Sequence, residues 1–380
     1  MSEDIGRNRH IKEGFDEQFS EWLYDQLYEA YLRARKGKRR TKDEFIFEIN
    51  EGENLLLLRD DIINRTYKPS RGIAFVIHQP VIREVFAAPF RDRVVHHFLY
   101  NTVYDWWDRR LIYDSYSCRE GKGTLFGIER LDHHIRKVSQ QYSRETYVIK
   151  LDIQGYFMSL PRTRLYSRAI WGLDRQFPKG GRVYETCKFL WREIIFDEPC
   201  AGVKKRGGEK SWKKLPDSKS LFCQPPGRGI VIGNLSSQLL SNIYLDTFDR
   251  FVTMQLGYKH YGRYVDDFYI VVTREELDRA MKDVEVMEDV LLEMGLTLHP
   301  NKRYIQNVRH GVAFLGATIY PHHIVPGRRV IRNFKNAIRE GQGEGNYVES
   351  VTSYMGHMAH FDSKRAIGKC FEEVGWEYKF

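Results

Sequence analysis

The sequence predicts an α+β protein with more than one subdomain. Three observations lead there. Several long stretches carry apolar residues at helical spacing. Short β-prone runs lie between them, and some of these read as adjacent hairpin pairs. The chain of 380 residues is longer than one core usually serves, so two or three subdomains are expected.

The elements follow in order. Phe19, Trp22, Leu23, Leu27 and Tyr31 recur near i, i+3, i+4 and predict a first helix. It runs into a basic cluster of Arg33, Arg35, Lys36, Lys38, Arg39 and Arg40. Six cations in eight residues exceed what a helix C-terminal dipole calls for, so phosphate contact is expected. Residues 43–66 read as a helix pair with Leu55, Leu56, Leu57 and Leu58 buried. Ile73–Ile77 and Arg83–Phe86 read as paired strands turning at Pro80, and residues 92–107 as another helix. Thr146 to Asp152 is a β-prone run ending in an acid. Residues 161–195 are helical. Residues 202–220 read as a basic loop containing Lys204, Lys205 and Arg206, long enough to be functional or mobile. Ser236–Gln255 has a helical apolar stripe, a hairpin follows at 261–272, and residues 274–294 are helical. Phe314–Ile319 reads as one short strand. The tail after 330 is helical and basic, with Gly341–Gly345 as a flexible joint.

Lys and Arg exceed Asp and Glu by 60 to 51, a net charge of +9, which favours a polyanionic partner without fixing a fold. Five cysteines at wide spacing, with no C-x-x-C pair, support neither a zinc knuckle nor a disulfide framework. No apolar run is long enough to span a bilayer. The polar, acidic start Met1-Ser2-Glu3-Asp4 lacks the order of a secretory leader, so a cytoplasmic location away from membranes is expected.

The chemistry concentrates in Tyr264-Val265-Asp266-Asp267. Asp is depleted from strands, and adjacent carboxylates repel. A pair between two buried-strand patterns implies a cation that neutralises it, and Mg²⁺ suits hard oxygen ligands beside phosphates. The bland alternative is an ordinary hairpin turn, where Asp is common. Asp152, ending its own β-prone run, argues against that. If the two strands are neighbours, three carboxylates converge and can hold two metal ions for phosphoryl transfer.

These residues resemble the motifs of reverse transcriptases. Asp152-Ile153-Gln154-Gly155-Tyr156-Phe157 is similar to the first palm motif, Ile232 to Gln238 to the second, and Tyr264 to Asp267 to the third. Leu298 to Lys302 and Phe314-Leu315-Gly316 are similar to the fourth motif and the primer grip. The resemblance implies a right-hand polymerase with fingers, palm and helical thumb, and it spans roughly residues 45–365. Bacterial reverse transcriptases usually carry Gln-Gly and then Ser-Pro in the second motif. Ile232 and Gln238 replace the Gln and the Pro here, as in enzymes of diversity-generating retroelements, a group II intron-like branch. Ala88 to His97, Asp114 to Thr124, Ser211 to Phe222 and Ser353 to His357 resemble the same branch.

The resemblance implies RNA-templated synthesis of cDNA from dNTPs, error-prone at adenines, on a template-repeat RNA, with a small basic accessory protein oligomer as partner. It implies Asp152, Asp266 and Asp267 as catalytic acids and, with Ile153, as ligands of two Mg²⁺ ions, Mn²⁺ being an admissible substitute. Phe157, or its competitor Tyr156, would block a ribose 2′-hydroxyl. Ile232, Gly233 and Gln238 would line the nucleotide site. Arg83 would meet the triphosphate, with Arg91 and Arg93 as competitors. Lys302 would protonate pyrophosphate. Arg35, Lys36, Lys38, Arg39, Arg40, Arg119, Lys122, Lys204, Lys205 and Arg206 would hold nucleic acid. Adjacent His96 and His97 point apart on a helix and read as structural.

The expected division is a basic N-terminal extension over 1–44, fingers and the start of the palm over 45–145, palm over 146–325 and thumb over 326–380, with no nuclease domain. A phage-defence polymerase, with or without a template, and a non-catalytic RNA-binding scaffold are the alternative readings.

Overall fold

A computed structural model describes residues 3–36, 41–78, 81–340 and 347–375. In chain order the elements are α1 (Glu3–Arg35), α2 (Lys42–Ile49), α3 (Glu51–Ile63), β1 (Ile73–Ile77), β2 (Arg83–Ala87), α4 (Phe90–Arg110), α5 (Thr124–Val138) and β3 (Thr146–Asp152). Then come α6 (Tyr156–Ser159), α7 (Arg162–Gln176), α8 (Arg182–Ile195), β4 (Lys204–Arg206), α9 (Glu209–Lys213) and α10 (Leu235–Arg250). The remainder comprises β5 (Tyr261–Tyr264), β6 (Asp267–Thr273), α11 (Leu277–Glu293), β7 (Tyr304–Asn307), β8 (Val312–Phe314), β9 (Ala317–Tyr320), β10 (His323–Pro326), α12 (Arg328–Glu340), α13 (Tyr347–Met358) and α14 (Lys364–Glu372). No described helix is long and apolar enough to cross a membrane. Pro80 and the joint at 341–345 lie outside the described residues.

The chain forms two compact units, one of Met1–Leu111 with Gly155–Thr247 and one of Ile112–Gln154 with Phe248–Phe380. The first is mainly helical. α2 starts with a capping box in which Thr41 Oγ1 accepts from the Glu44 N–H and the Glu44 carboxylate accepts from the Thr41 N–H. On α3, Leu55 and Leu58 are buried while Leu56 and Leu57 are exposed. A run of four leucines on a helix points around the axis, so one stripe cannot bury them all. The β1–β2 hairpin is antiparallel, and β4 joins it in parallel along β1. The stretch 202–220 is therefore not a free loop. It contributes a strand and the short helix α9, and it is anchored where buried Glu84 accepts from Ser220 Oγ (2.7 Å) and the Leu221 N–H (2.8 Å).

The second unit is built on a four-stranded sheet in the order β5-β6-β3-β7. β6 is buried along almost its whole length, which fits its unbroken apolar run, because both faces are covered. Val148, Tyr269 and Val271 pack with Ile128, Leu131 and Ile135 of α5 on one face. α11 packs against β6 as well. The expected single strand at 314–319 is two strands, β8 and β9, paired antiparallel. Leu315 and Gly316 turn between them with φ of 46° and 88°. The tail helices α12 and α14 close on Phe334, Ile338, Ile367 and Phe371.

Candidate active site

Register assembles the site. β3 and β6 pair antiparallel from Thr146 opposite Thr273 to Asp152 opposite Asp267. β5 pairs β6 so that Tyr264 faces Asp267, leaving Val265 and Asp266 as a two-residue hairpin loop. Directly opposed residues share one face of a sheet and place their Cβ atoms about 4.5–5.5 Å apart. Asp152 and Asp267 therefore stand side by side at the sheet's end, with Asp266 next to them on the loop. The expected convergence is met in the geometry.

The electrostatics follow. Asp152 is buried and Asp267 half-buried. Burial, and then the charges of Asp266 and Asp152, push the Asp267 carboxyl up to about 7 against partial relief from Lys150 and Lys302. The Lys302 ammonium donates to Asp152 Oδ2 at 2.7 Å. Burial alone would lower it, but Asp152, Asp267 and Asp266 together hold it above its ordinary range. Lys150 donates to the Ala313 carbonyl at 2.9 Å, and burial pulls its ammonium down despite Asp267 and Asp152. Among the described residues no three His, Cys, Asp or Glu side chains stand in finished metal-ligand geometry. The donor set nonetheless fits a hard divalent cation. It offers carboxylate oxygens, and two nearby lysines leave Asp267 raised. Ile153 is fully buried, and its N–H donates to the Asp266 carbonyl at 3.1 Å.

The hairpin loop is held under strain. Val265 has φ +58°, a conformation that hairpin turns usually give to glycine and that costs a β-branched residue about 1–3 kcal/mol. Three contacts fix it. The Val265 N–H donates to Ser117 Oγ (3.1 Å), its carbonyl accepts from Arg263 Nη1 (2.9 Å), and the neighbouring Asp266 carbonyl accepts from Ile153. Arg263 is itself fully buried and forms a fork with Asp249, each nitrogen at 2.7 Å. Tyr261 donates to the same carboxylate at 2.6 Å. Sequence reasoning missed Arg263, Asp249, Ser117 and Lys150. One signal was available: Arg263 is a lone cation inside a buried-strand pattern, three residues before the acid pair.

The remaining expected site residues divide. Arg119 is turned inward and donates to the carbonyls of Ile112 (2.6 Å) and Ser115 (3.1 Å). Lys122 donates to the Tyr113 carbonyl and lies over that ring. Both brace their own loop, Arg119 from a buried position and Lys122 from a half-exposed one. Arg35 pairs with Glu48 at 3.0 Å and Lys36 is exposed. Lys38, Arg39 and Arg40 lie outside the described residues.

Arg83, Phe157, Ile232, Gly233 and Gln238 belong to the first unit. Arg83 is exposed at the start of β2. Arg91 pairs with Asp61 at 2.5 Å, and Arg93 Nε donates to the Ala88 carbonyl. Tyr156 is core, its hydroxyl donating to the Ser241 carbonyl at 2.5 Å, while Phe157 is half-buried. Ile232 is half-buried against the cluster of Ala74, Phe86, Met158 and Leu221. Gly233 has φ +127°, and a Cβ there would meet the Phe86 carbonyl at 2.5 Å. Close approach of β2 therefore already requires the glycine. Gln238 is half-buried on α10. Lys204, Lys205 and Arg206 are exposed, with Lys205 Nζ 3.8 Å from the Phe222 ring centroid. His96 is buried, Nδ1 on Ser236 Oγ at 2.8 Å.

No curated protein matches the chain. Among solved structures it is similar to telomerase from Candida albicans in complex with a fragment of telomeric RNA, at 10% identity and a TM-score of 0.48. That likeness covers 83% of this chain and 56% of the other, so the chain spans little more than half of that relative's length. The family described as reverse transcriptase (RNA-dependent DNA polymerase) matches residues 82–319, which takes in more than half of the sequence and all three aspartates. With its α+β fold, this chain belongs to the reverse transcriptase family.

Proposed function

We propose that this protein is an RNA-directed DNA polymerase whose active centre is Asp152, Asp266 and Asp267. The register of β3 against β6 carries the reading, because it gathers the three acids at one sheet end. A carboxyl raised to about 7 by neighbouring carboxylates marks a place that favours added positive charge. The three carboxylates and the Ile153 carbonyl would hold divalent cations, two Mg²⁺ or Mn²⁺ by family resemblance. When bound, these supply positive charge at the attacking 3′-hydroxyl and the leaving pyrophosphate. Lys302 keeps a proton on Nζ beside Asp152, as a donor to pyrophosphate requires. Arg83 offers an exposed guanidinium for the triphosphate. Phe157 screens the sugar, and Gly233 and Gln238 flank the nucleotide.

The finer reading is a diversity-generating retroelement enzyme. It copies a template-repeat RNA with errors at adenines and works with a small basic accessory protein. Ile232 supports it, because an apolar side chain lacks the hydrogen bonds an amide would lend to base discrimination. In this reading residues 1–44 form a basic extension, 45–145 the fingers and start of the palm, 146–325 the palm and 326–380 the thumb. The exposed cations Lys36, Lys204, Lys205 and Arg206 contact RNA.

Primer extension on an RNA template with dNTPs tests the proposal. Template-dependent product from the wild type that disappears in Asp266→Asn and Asp267→Asn is the expected result. Untemplated product would support a defence polymerase, and no product under any condition would support a scaffold.

A further inference from the structure

One basic and aromatic cluster of the first unit is not used by the site above. On α7, Arg164, Arg168, Trp171 and Arg175 follow at steps of four, three and four residues, which places them along one helix face. α4 brings Trp106 and Arg110 against the same stripe. The helices meet closely because Gly172 faces Trp107: a Cβ there would fall 2.4 Å from the indole. Three guanidiniums converge on the Trp171 ring. Arg175 lies 3.7 Å, Arg168 4.0 Å and Arg110 4.5 Å from its centroid. The fully buried Asp246 carboxylate accepts from Arg168 at 2.5 Å and lies 3.4 Å from Arg110 Nε. Arg164 and Arg175 are exposed.

Joining two helices requires one such stack, and additional like charges around one ring repel each other. Guanidinium planes and indoles layered on a surface are what unpaired bases stack on, with the cations meeting the backbone between them. We propose that this α4–α7 face is a platform for single-stranded nucleic acid, separate from the catalytic acids. Charge complementarity selects the occupant: the stripe on α7 carries three arginines and no acid, and the chain as a whole is cationic at +9. The choice of nucleic acid over another polyanion rests on the polymerase reading above.

The test uses the full chain and the double variant Arg164→Ala/Arg175→Ala, which removes two exposed guanidiniums, one of them from the face of Trp171, and leaves Arg168, Arg110 and the buried Asp246 in place. Anisotropy with a labelled 20-nucleotide single-stranded RNA is measured across salt concentrations, with a 20-residue poly-glutamate as competitor probe. The expected result is a roughly five- to twentyfold loss of RNA affinity and a salt slope shallower by about 1.4, near 0.7 for each lost phosphate contact. Trp171→Phe, which keeps a ring in the stack, should retain most binding, and circular dichroism should match the wild type in both variants. Unchanged RNA affinity in the double variant overturns the proposal. So does a loss of poly-glutamate binding with RNA binding intact, which would mark an acidic protein surface as the partner. Primer extension is run in parallel. An RNA-binding loss in a chain that extends no primer keeps the platform and removes the polymerase.

Discussion

Replacing Asp267 by Asn should stabilise the metal-free protein, and by an amount that depends on pH. The native carboxyl is raised from 3.8 to about 7 by burial and by Asp266 and Asp152. A shift of about three pH units corresponds to roughly 4 kcal/mol at about 1.36 kcal/mol each. Coupling to two other acids makes about 2–4 kcal/mol the expected range. The sign follows from linkage. Between about pH 4 and 7 the native state keeps a proton that the unfolded chain has lost, so wild-type stability falls as pH rises through that window and levels off above it. The amide does not titrate. Its advantage should be about 1–2 kcal/mol at pH 5 and reach its full value by pH 8. Urea unfolding in EDTA at pH 5, 6, 7 and 8 measures this. Added Mg²⁺ should then narrow or reverse the difference, since only the wild type regains a full oxygen donor set. An Asn variant no more stable than the wild type at pH 8 in EDTA would refute the account of the three acids as mutually repelling neighbours.

Four further substitutions separate site from scaffold. Ile232→Gln should lower misincorporation at template adenines, read by sequencing of cDNA, and equal error rates in both enzymes would reject the role given to the apolar side chain. Arg263→Met leaves Asp249 buried without its fork and should cost about 3–5 kcal/mol in urea unfolding; a cost below about 1 kcal/mol would mean that the hairpin is held by other means. Phe157→Ala should weaken discrimination against rNTPs about tenfold or more in competitive extension with little loss of stability. Tyr156→Ala should instead destabilise by about 3–5 kcal/mol, as removal of a buried ring does, and the reverse pattern would exchange the two roles.

Much of the centre was legible from sequence because its signals are local. An acid that ends an apolar run, and a pair of acids between two such runs, report strand ends directly. β3 spans Thr146–Asp152 as the sequence predicts. What stayed hidden depends on distant partners. β4 is three exposed cations, and nothing in Lys204-Lys205-Arg206 announces a parallel pairing with β1, more than a hundred residues earlier. The division of 314–319 into β8 and β9 turns on backbone angles at Leu315 and Gly316, where an apolar residue in the turn masks the break. Arg119 and Lys122 read as phosphate contacts because charge in a glycine-rich stretch usually faces water. Their carbonyl partners at Ile112, Ser115 and Tyr113 became visible only once the loop had closed.

The pairing of Asp152 with Asp267 has a consequence for biosynthesis. The first acid is translated more than a hundred residues before the other two, and every helix from α6 to α10 intervenes. A nascent chain that has reached α10 already carries the residues of both members of the β1–β2 hairpin, yet only one of the three acids. The three acids can share one sheet end only after β6 has left the ribosome and docked along β3. Any stall or cleavage within that interval therefore yields a fragment that holds Asp152 without Asp266 and Asp267.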